Sequence, residues 1–132
     1  MAAGSADPEL RKRAPERAVA SWRDSVTADE LYSSVLVVGE IRQGIERLRR
    51  RDRRQAADLE RWLGRLKLEF EDRILPVTTA VAEAWGRIAA PEPLPAINGL
   101  LAATALVHGL VLVTRDADRL ERTGVPLLNP WS

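Results

Sequence analysis

The amino-acid sequence predicts an α/β domain built on a mainly parallel sheet. Three observations carry that expectation. Short apolar runs, Leu110-Val111-Leu112-Val113-Thr114 the clearest, have the length and branching of buried strands. Between them lie longer segments whose apolar residues recur at helical spacing, and strands alternating with helices are laid parallel by the crossovers. A chain of 132 residues, 45% hydrophobic and 30% charged, is within the size of one domain and closes one core.

Residues 1–8 mix Gly, Ser, Ala and Pro without periodicity and read as an irregular N-terminal segment, leaving 9–132 as the domain. Glu9 to Arg13 has room for a helical turn. Pro15 suits a first helical position and opens Glu16 to Trp22, with Ala18, Val19 and Trp22 on one face. Leu31-Tyr32-Ser33 is a brief strand. Ser34 caps a helix carrying Val37, Ile41, Ile45 and Leu48, and Asp52 restarts a second with Ala56, Leu59, Leu63, Leu66 and Phe70 in one stripe. Ile74-Leu75-Pro76-Val77 is extended. Thr78 or Thr79 caps a helix from Ala80 to Ala90 that buries Val81, Ala84 and Trp85. Residues 98–108 are almost wholly apolar and read as a buried helix stopped by Gly109. The strand over 110–114 follows, and Leu127-Leu128 is a last extended piece.

Composition narrows the chemistry. Without cysteine there are no disulfides, thiolate nucleophiles or cysteine-ligated metals, and one histidine excludes a multi-histidine zinc site. No apolar run reaches the roughly 18 residues of a membrane span. The N-terminus lacks the basic start and apolar stretch of a signal peptide. Any chemistry therefore rests on carboxylates, hydroxyls, amides and arginine. A net charge of +1 hides an asymmetry: eighteen of the twenty basic residues are Arg, and six of them fall within Arg47 to Arg54. Such a block binds phosphate through forked hydrogen bonds as well as charge, or is simply a solvated helix end.

In parallel α/β sheets, sites form outside the carboxyl ends of the strands. That rule singles out Asp116, just past the clearest strand, with Arg115 and Asp118 beside it; capping a helix is the ordinary role for such an aspartate. Glu40 flanks the apolar face of the 35–48 helix, with Gly44 leaving space one turn on and Arg47 a turn further. Asn98 opens an apolar helix, where Asn is also a good N-cap. His108 in the last turn of that helix suits its negative end. No Walker loop, dinucleotide fingerprint or nucleophile elbow occurs.

Together these segments are similar to a known family. Ser33-Ser34-Val35-Leu36-Val37-Val38-Gly39-Glu40-Ile41-Arg42-Gln43-Gly44-Ile45-Glu46-Arg47-Leu48 resembles the second motif of PIN-domain toxins of the VapC family. Pro95-Ala96-Ile97-Asn98-Gly99-Leu100-Leu101-Ala102-Ala103-Thr104-Ala105 is similar to their third, Leu112-Val113-Thr114-Arg115-Asp116 to their fourth, and Thr123 to Trp131 to their tail. The nearest subgroup is the FitB-like one.

The resemblance implies a PIN-like three-layer fold and a toxin of a type II toxin–antitoxin system. It implies a cytoplasmic, Mg2+- or Mn2+-dependent endoribonuclease that cuts cellular RNA, forms a homodimer, and is neutralised by a cognate VapB-like antitoxin. Hard divalent cations take oxygen ligands, lower the pKa of bound water and stabilise phosphoryl-transfer charge. Glu40 and Asp116 would be catalytic metal ligands, with Asn98 a weakened ligand where the family has Asp, and Asp118 a further acid one residue from a family position. Arg47, Arg50 and Arg115 are candidate RNA contacts. The family's first strand ends in Asp-Thr-Asn, and its aspartate falls on Ala3. The N-terminal strand is thus expected to be missing or degenerate, through a start upstream of Met1 or a decayed copy. An inactive PIN fold that only binds antitoxin or RNA is the alternative, and deamidation at Asn98-Gly99 is a route back to a carboxylate.

Overall fold

A computed structural model describes residues 2–3 and 26–130. The helical turn expected over 9–13 and the helix over 16–22 lie outside the described residues. Five strands form one sheet: β1 (Ala2–Ala3), β2 (Leu31–Ser34), β3 (Ile74–Leu75), β4 (Val111–Val113) and β5 (Leu127–Leu128). Their spatial order is β3-β2-β1-β4-β5, and every pairing is parallel. The expectation of a short parallel sheet is borne out.

The N-terminal segment is not wholly irregular, and this corrects the sequence reading. Ala2 and Ala3 pair with Leu31 and Tyr32 on one side and with Val111 and Leu112 on the other. β1 is therefore present, degenerate in length, at the centre of the sheet. Two alanines carry none of the β-branched or alternating pattern that marks a strand, so local propensity could not announce it. The pairing is imposed by two parallel neighbours whose facing N–H and C=O groups need partners.

The helices begin where their caps place them. Ser34 Oγ accepts from Leu36 N at 3.0 Å and opens α1 (Val35–Arg49); Asp52 accepts from Gln55 N at 3.0 Å and opens α2 (Arg53–Glu69). Thr78 Oγ1 accepts from Val81 N at 3.2 Å and opens α3 (Thr79–Ala89). α4 (Ala96–His108) ends at Gly109, whose φ of 65° is the left-handed turn that an L side chain resists. A short α5 (Ala117–Leu120) follows β4.

Two apolar cores make the layers. Val37, Ile41, Ile45, Ala56, Leu63, Leu66 and Phe70 join α1 to α2, while Val81, Ala84, Ile88, Ala102, Ala103 and Ala105 join α3 to α4. Leu31 and Ile74 pack on the first cluster; Tyr32 and Leu75, their chain neighbours, pack on the second. Successive strand residues face opposite sides, so the cores lie on opposite faces of the sheet, giving the three layers expected. α4 is not buried all round, however: Ala102 to Ala105 are buried, but Leu106 and Val107 are 46% and 41% exposed. Its apolar composition alone overstated its burial. Among the described residues no helix is long and apolar enough to cross a membrane.

Candidate functional site

Strand order reverses between β1 and β4, with β2 and β3 extending to one side and β5 to the other. The crevice at such a reversal, beyond the strand carboxyl ends, is where this architecture builds sites. Asp116 stands three residues past β4, and its surroundings fix it. Thr114 Oγ1 accepts from Asp116 N at 3.0 Å, and Asn129 Nδ2 donates to Arg115 O at 3.4 Å, tying the turn to the segment after β5. Thr114 and Asn129 were not singled out as site residues; the Thr-x-Asp spacing, a side chain closing its own turn, was the available signal for the first.

Asp116 occupies the N-cap position of α5, yet its side chain makes no capping bond. It accepts a hydrogen bond from Asn98 Nδ2 at 3.3 Å instead. The capping role offered for this aspartate therefore does not hold. Nor does the one offered for Asn98. Pro95 precedes α4, which has no side-chain cap, and Asn98 is the third helical residue, half-buried and turned toward Asp116. Two residues 18 apart in sequence thus meet at the strand-end crevice. Beneath Asn98, Gly99 is required by packing: a Cβ there would lie 2.9 Å from Trp85 Cδ1. Gly99 N is engaged in a hydrogen bond to Pro95 O at 2.9 Å, so the nitrogen that would close a succinimide on Asn98 is held in the helix.

The other candidates lie on α1, α4, α5 and the turn after β4. Glu40 is exposed in the second turn of α1, between buried Val37 and Ile41, with open space beside Gly44 as expected. Asp118 is exposed in α5 and lines an open groove of about 660 Å³ with Leu94, Pro95, Arg119 and Arg122. Arg115 is exposed next to Asp116, whereas Arg47 and Arg50 lie at the far end of α1. His108 sits in the last turn of α4 and faces solvent.

The donor set can be tested against a divalent ion. Asp116 and the Asn98 carbonyl are hard oxygen donors of the right kind. Among the described residues, though, no three acidic or imidazole side chains converge as a metal-holding group. The Asn98 side chain, moreover, turns its amide nitrogen and not its oxygen toward the Asp116 carboxylate. The described residues by themselves do not fit a tightly held Mg2+ or Mn2+.

A family model for the PIN domain matches residues 9–126. The chain belongs to the PIN-domain family. Among its relatives, VapC ribonuclease Y4jK of Sinorhizobium fredii is 30% identical over 128 residues, covering 93% of this chain and 91% of its own. Toxin FitB of Neisseria gonorrhoeae is 32% identical over 127 residues, covering 92% and 90%. Two solved structures are similar to this PIN domain. The crystal structure of FitAcB from Neisseria gonorrhoeae aligns with a TM-score of 0.85 at 29% identity, over 94% of this chain and 92% of that one. FitAB bound to an IR36 DNA fragment aligns at 0.83 with 28% identity, over 95% and 90%. The resemblance to VapC-type PIN toxins is borne out, and so is the α/β fold it implied.

Proposed function

We propose that this PIN-domain protein is the toxin component of a toxin–antitoxin pair whose metal-dependent RNA cleavage is held down by Asn98. Antitoxin binding and RNA binding are then its working functions. The observation that carries this reading is the hydrogen bond from Asn98 Nδ2 to Asp116, with an amide where a carboxylate would give a cation a second charged oxygen. The partner is a cognate VapB-like antitoxin. That part is supported by the toxin relatives and by the FitAB structures, to whose chain this one is similar over about nine-tenths of its length. A cytoplasmic homodimer is the expected form, with the exposed Leu106 and Val107 as an apolar surface available for pairing.

The fully active reading makes the protein an Mg2+- or Mn2+-dependent endoribonuclease. Glu40 and Asp116 are its metal ligands, Asn98 is a weak ligand, Asp118 is a lesser candidate, and Arg115 is an RNA contact. It is supported by the family and by the ribonuclease among the relatives. RNA incubated with purified protein and Mn2+ separates the two. Under the proposed reading the native chain cleaves feebly and Asn98→Asp at least tenfold faster. Strong native cleavage abolished by Asp116→Ala and Glu40→Ala would establish the active nuclease instead. Cleavage indifferent to all three substitutions would remove the strand-end crevice from the chemistry.

A further inference from the structure

We propose that the hairpin joining α1 to α2 is a second, metal-independent surface that binds the phosphate backbone of a nucleic acid. The proposal rests on the reading that this protein meets RNA, and adds where and how the strand is held away from Asp116. α1 runs 15 residues from the end of β2, about 22 Å at 1.5 Å per residue, and so carries the hairpin to the opposite end of the helix from the strand-end crevice.

The acids and arginines of this hairpin are sorted. Glu46 and Glu60 are bound by Arg42 and Arg49, with Arg42 Nη1 to Glu60 Oε1 at 2.8 Å and Arg49 Nη2 to Glu46 Oε2 at 3.0 Å. Asp52 caps α2, and Asp58 is paired with Arg61. Every acid from Glu46 to Glu60 is thereby committed. Arg47, Arg50, Arg51, Arg53 and Arg54 are all exposed, and none has an ion pair among the described residues. Five like charges within eight positions face one intervening acid, Asp52, so the tip keeps a clear positive excess. An open groove of about 540 Å³, lined by Glu46, Arg49, Arg50 and Arg53, makes the tip concave.

The chemistry of the patch selects its occupant. A protein partner needs an apolar centre to its interface. The one apolar side chain in Arg47 to Arg54, Leu48, is instead packed on the core beneath. A phosphate backbone needs only charge and donors, and guanidinium forks supply both in a geometry that lysine lacks. Arginine is what this chain uses throughout the segment.

The test is fluorescence anisotropy of a labelled 20-nucleotide RNA, and of single-stranded DNA of the same sequence, titrated with the full chain in EDTA from 50 to 300 mM salt. Without metal the readout is independent of cleavage, so loss of the nuclease reading leaves it intact and its own failure does not touch that reading. Binding of either strand is expected, because the contact is to the backbone. Replacing Arg50, Arg51 and Arg54 by Gln should weaken binding tenfold or more and flatten the log affinity–log salt slope by about 2, at roughly 0.7 per phosphate contact on single strands. The same three changed to Lys should keep the slope, and Arg61→Gln and Arg87→Gln should change neither quantity. An unchanged slope in the Gln variant, no binding by the native chain at 50 mM salt, or capture of poly-glutamate in place of either strand would overturn the proposal.

Discussion

Asn98→Asp is the substitution through which the strand-end crevice can be examined with the least disturbance to its shape. It replaces an amide nitrogen 3.3 Å from Asp116 Oδ2 by a carboxylate oxygen. One hydrogen bond, worth about 1 kcal/mol net, is lost. Two like charges at that separation repel by about 1 kcal/mol at the dielectric of water and about 5 at an effective value of 20. Asp116 is exposed and Asn98 half-buried, which places the pair toward the lower end. Against this, a carboxylate in the first turn of α4 gains about 0.5 kcal/mol from the helix dipole. The net loss is about 1.5 kcal/mol in EDTA, or about 5 °C of melting temperature for a domain of this size.

A divalent cation reverses the sign, because the repulsion becomes a binding site. At a hundredfold excess of cation over its dissociation constant the variant gains about 2.7 kcal/mol, so its melting temperature rises past that of the native chain. The native chain, with one carboxylate facing an amide, should shift little. Differential scanning fluorimetry of both proteins, in EDTA and across a Mn2+ titration, reads all four quantities. If Asn98→Asp melts with the native protein in EDTA and neither responds to Mn2+, the two side chains do not share a site, and the account of Asn98 as the impaired position fails.

Three further outcomes follow from the packing and the charges. Arg42 and Arg49 hold the Glu60 carboxyl at about 2, below its ordinary 4.5, so this network stabilises the fold above pH 4.5 and is lost as pH falls toward 2; Glu60→Gln should flatten that acid limb in melts across pH 2–6, and salt should do so in part. In Gly99→Ala the new methyl would meet the Trp85 indole at 2.9 Å, and a packing penalty of about 2 kcal/mol outweighs about 1 from better helix propensity, giving a net loss of about 1 kcal/mol in urea denaturation. Among the described residues Ser33 Oγ is buried without a hydrogen-bond partner beside a cavity of about 50 Å³, so Ser33→Ala should raise stability by about 1 kcal/mol in the same assay, and a loss would mean that an ordered water holds the hydroxyl.

How legible the fold was depended on the kind of signal each element carries. Helix starts were readable because Ser34, Asp52 and Thr78 state their role in one side chain, and all three make the capping bond. β4 was readable because Leu112 and Val113 are buried and β-branched or bulky. β1 was not, since a two-residue alanine strand has no local signature and exists through β2 and β4. The crevice could be located from topology and the turn after β4. What the side chains do there could not: Asp116 and Asn98 are both good caps by residue type, and only their meeting in space shows that neither is spent on capping.

That separation has a physical basis. The two cores that hold the layers are made of Val, Ile, Leu, Ala and Phe on α1 to α4 and the strands, and none of Glu40, Asn98 or Asp116 belongs to either. The crevice side chains are exposed or half-buried and contribute little apolar burial, so exchanging one acid for an amide leaves the fold nearly untouched. Removing mutual repulsion between carboxylates even stabilises it slightly in the absence of a cation. An exchange between acid and amide at position 98 therefore carries little structural cost, while Gly99, pressed against Trp85 one residue along, is fixed by packing. The surfaces that antitoxin and RNA would use ride on the same untouched scaffold.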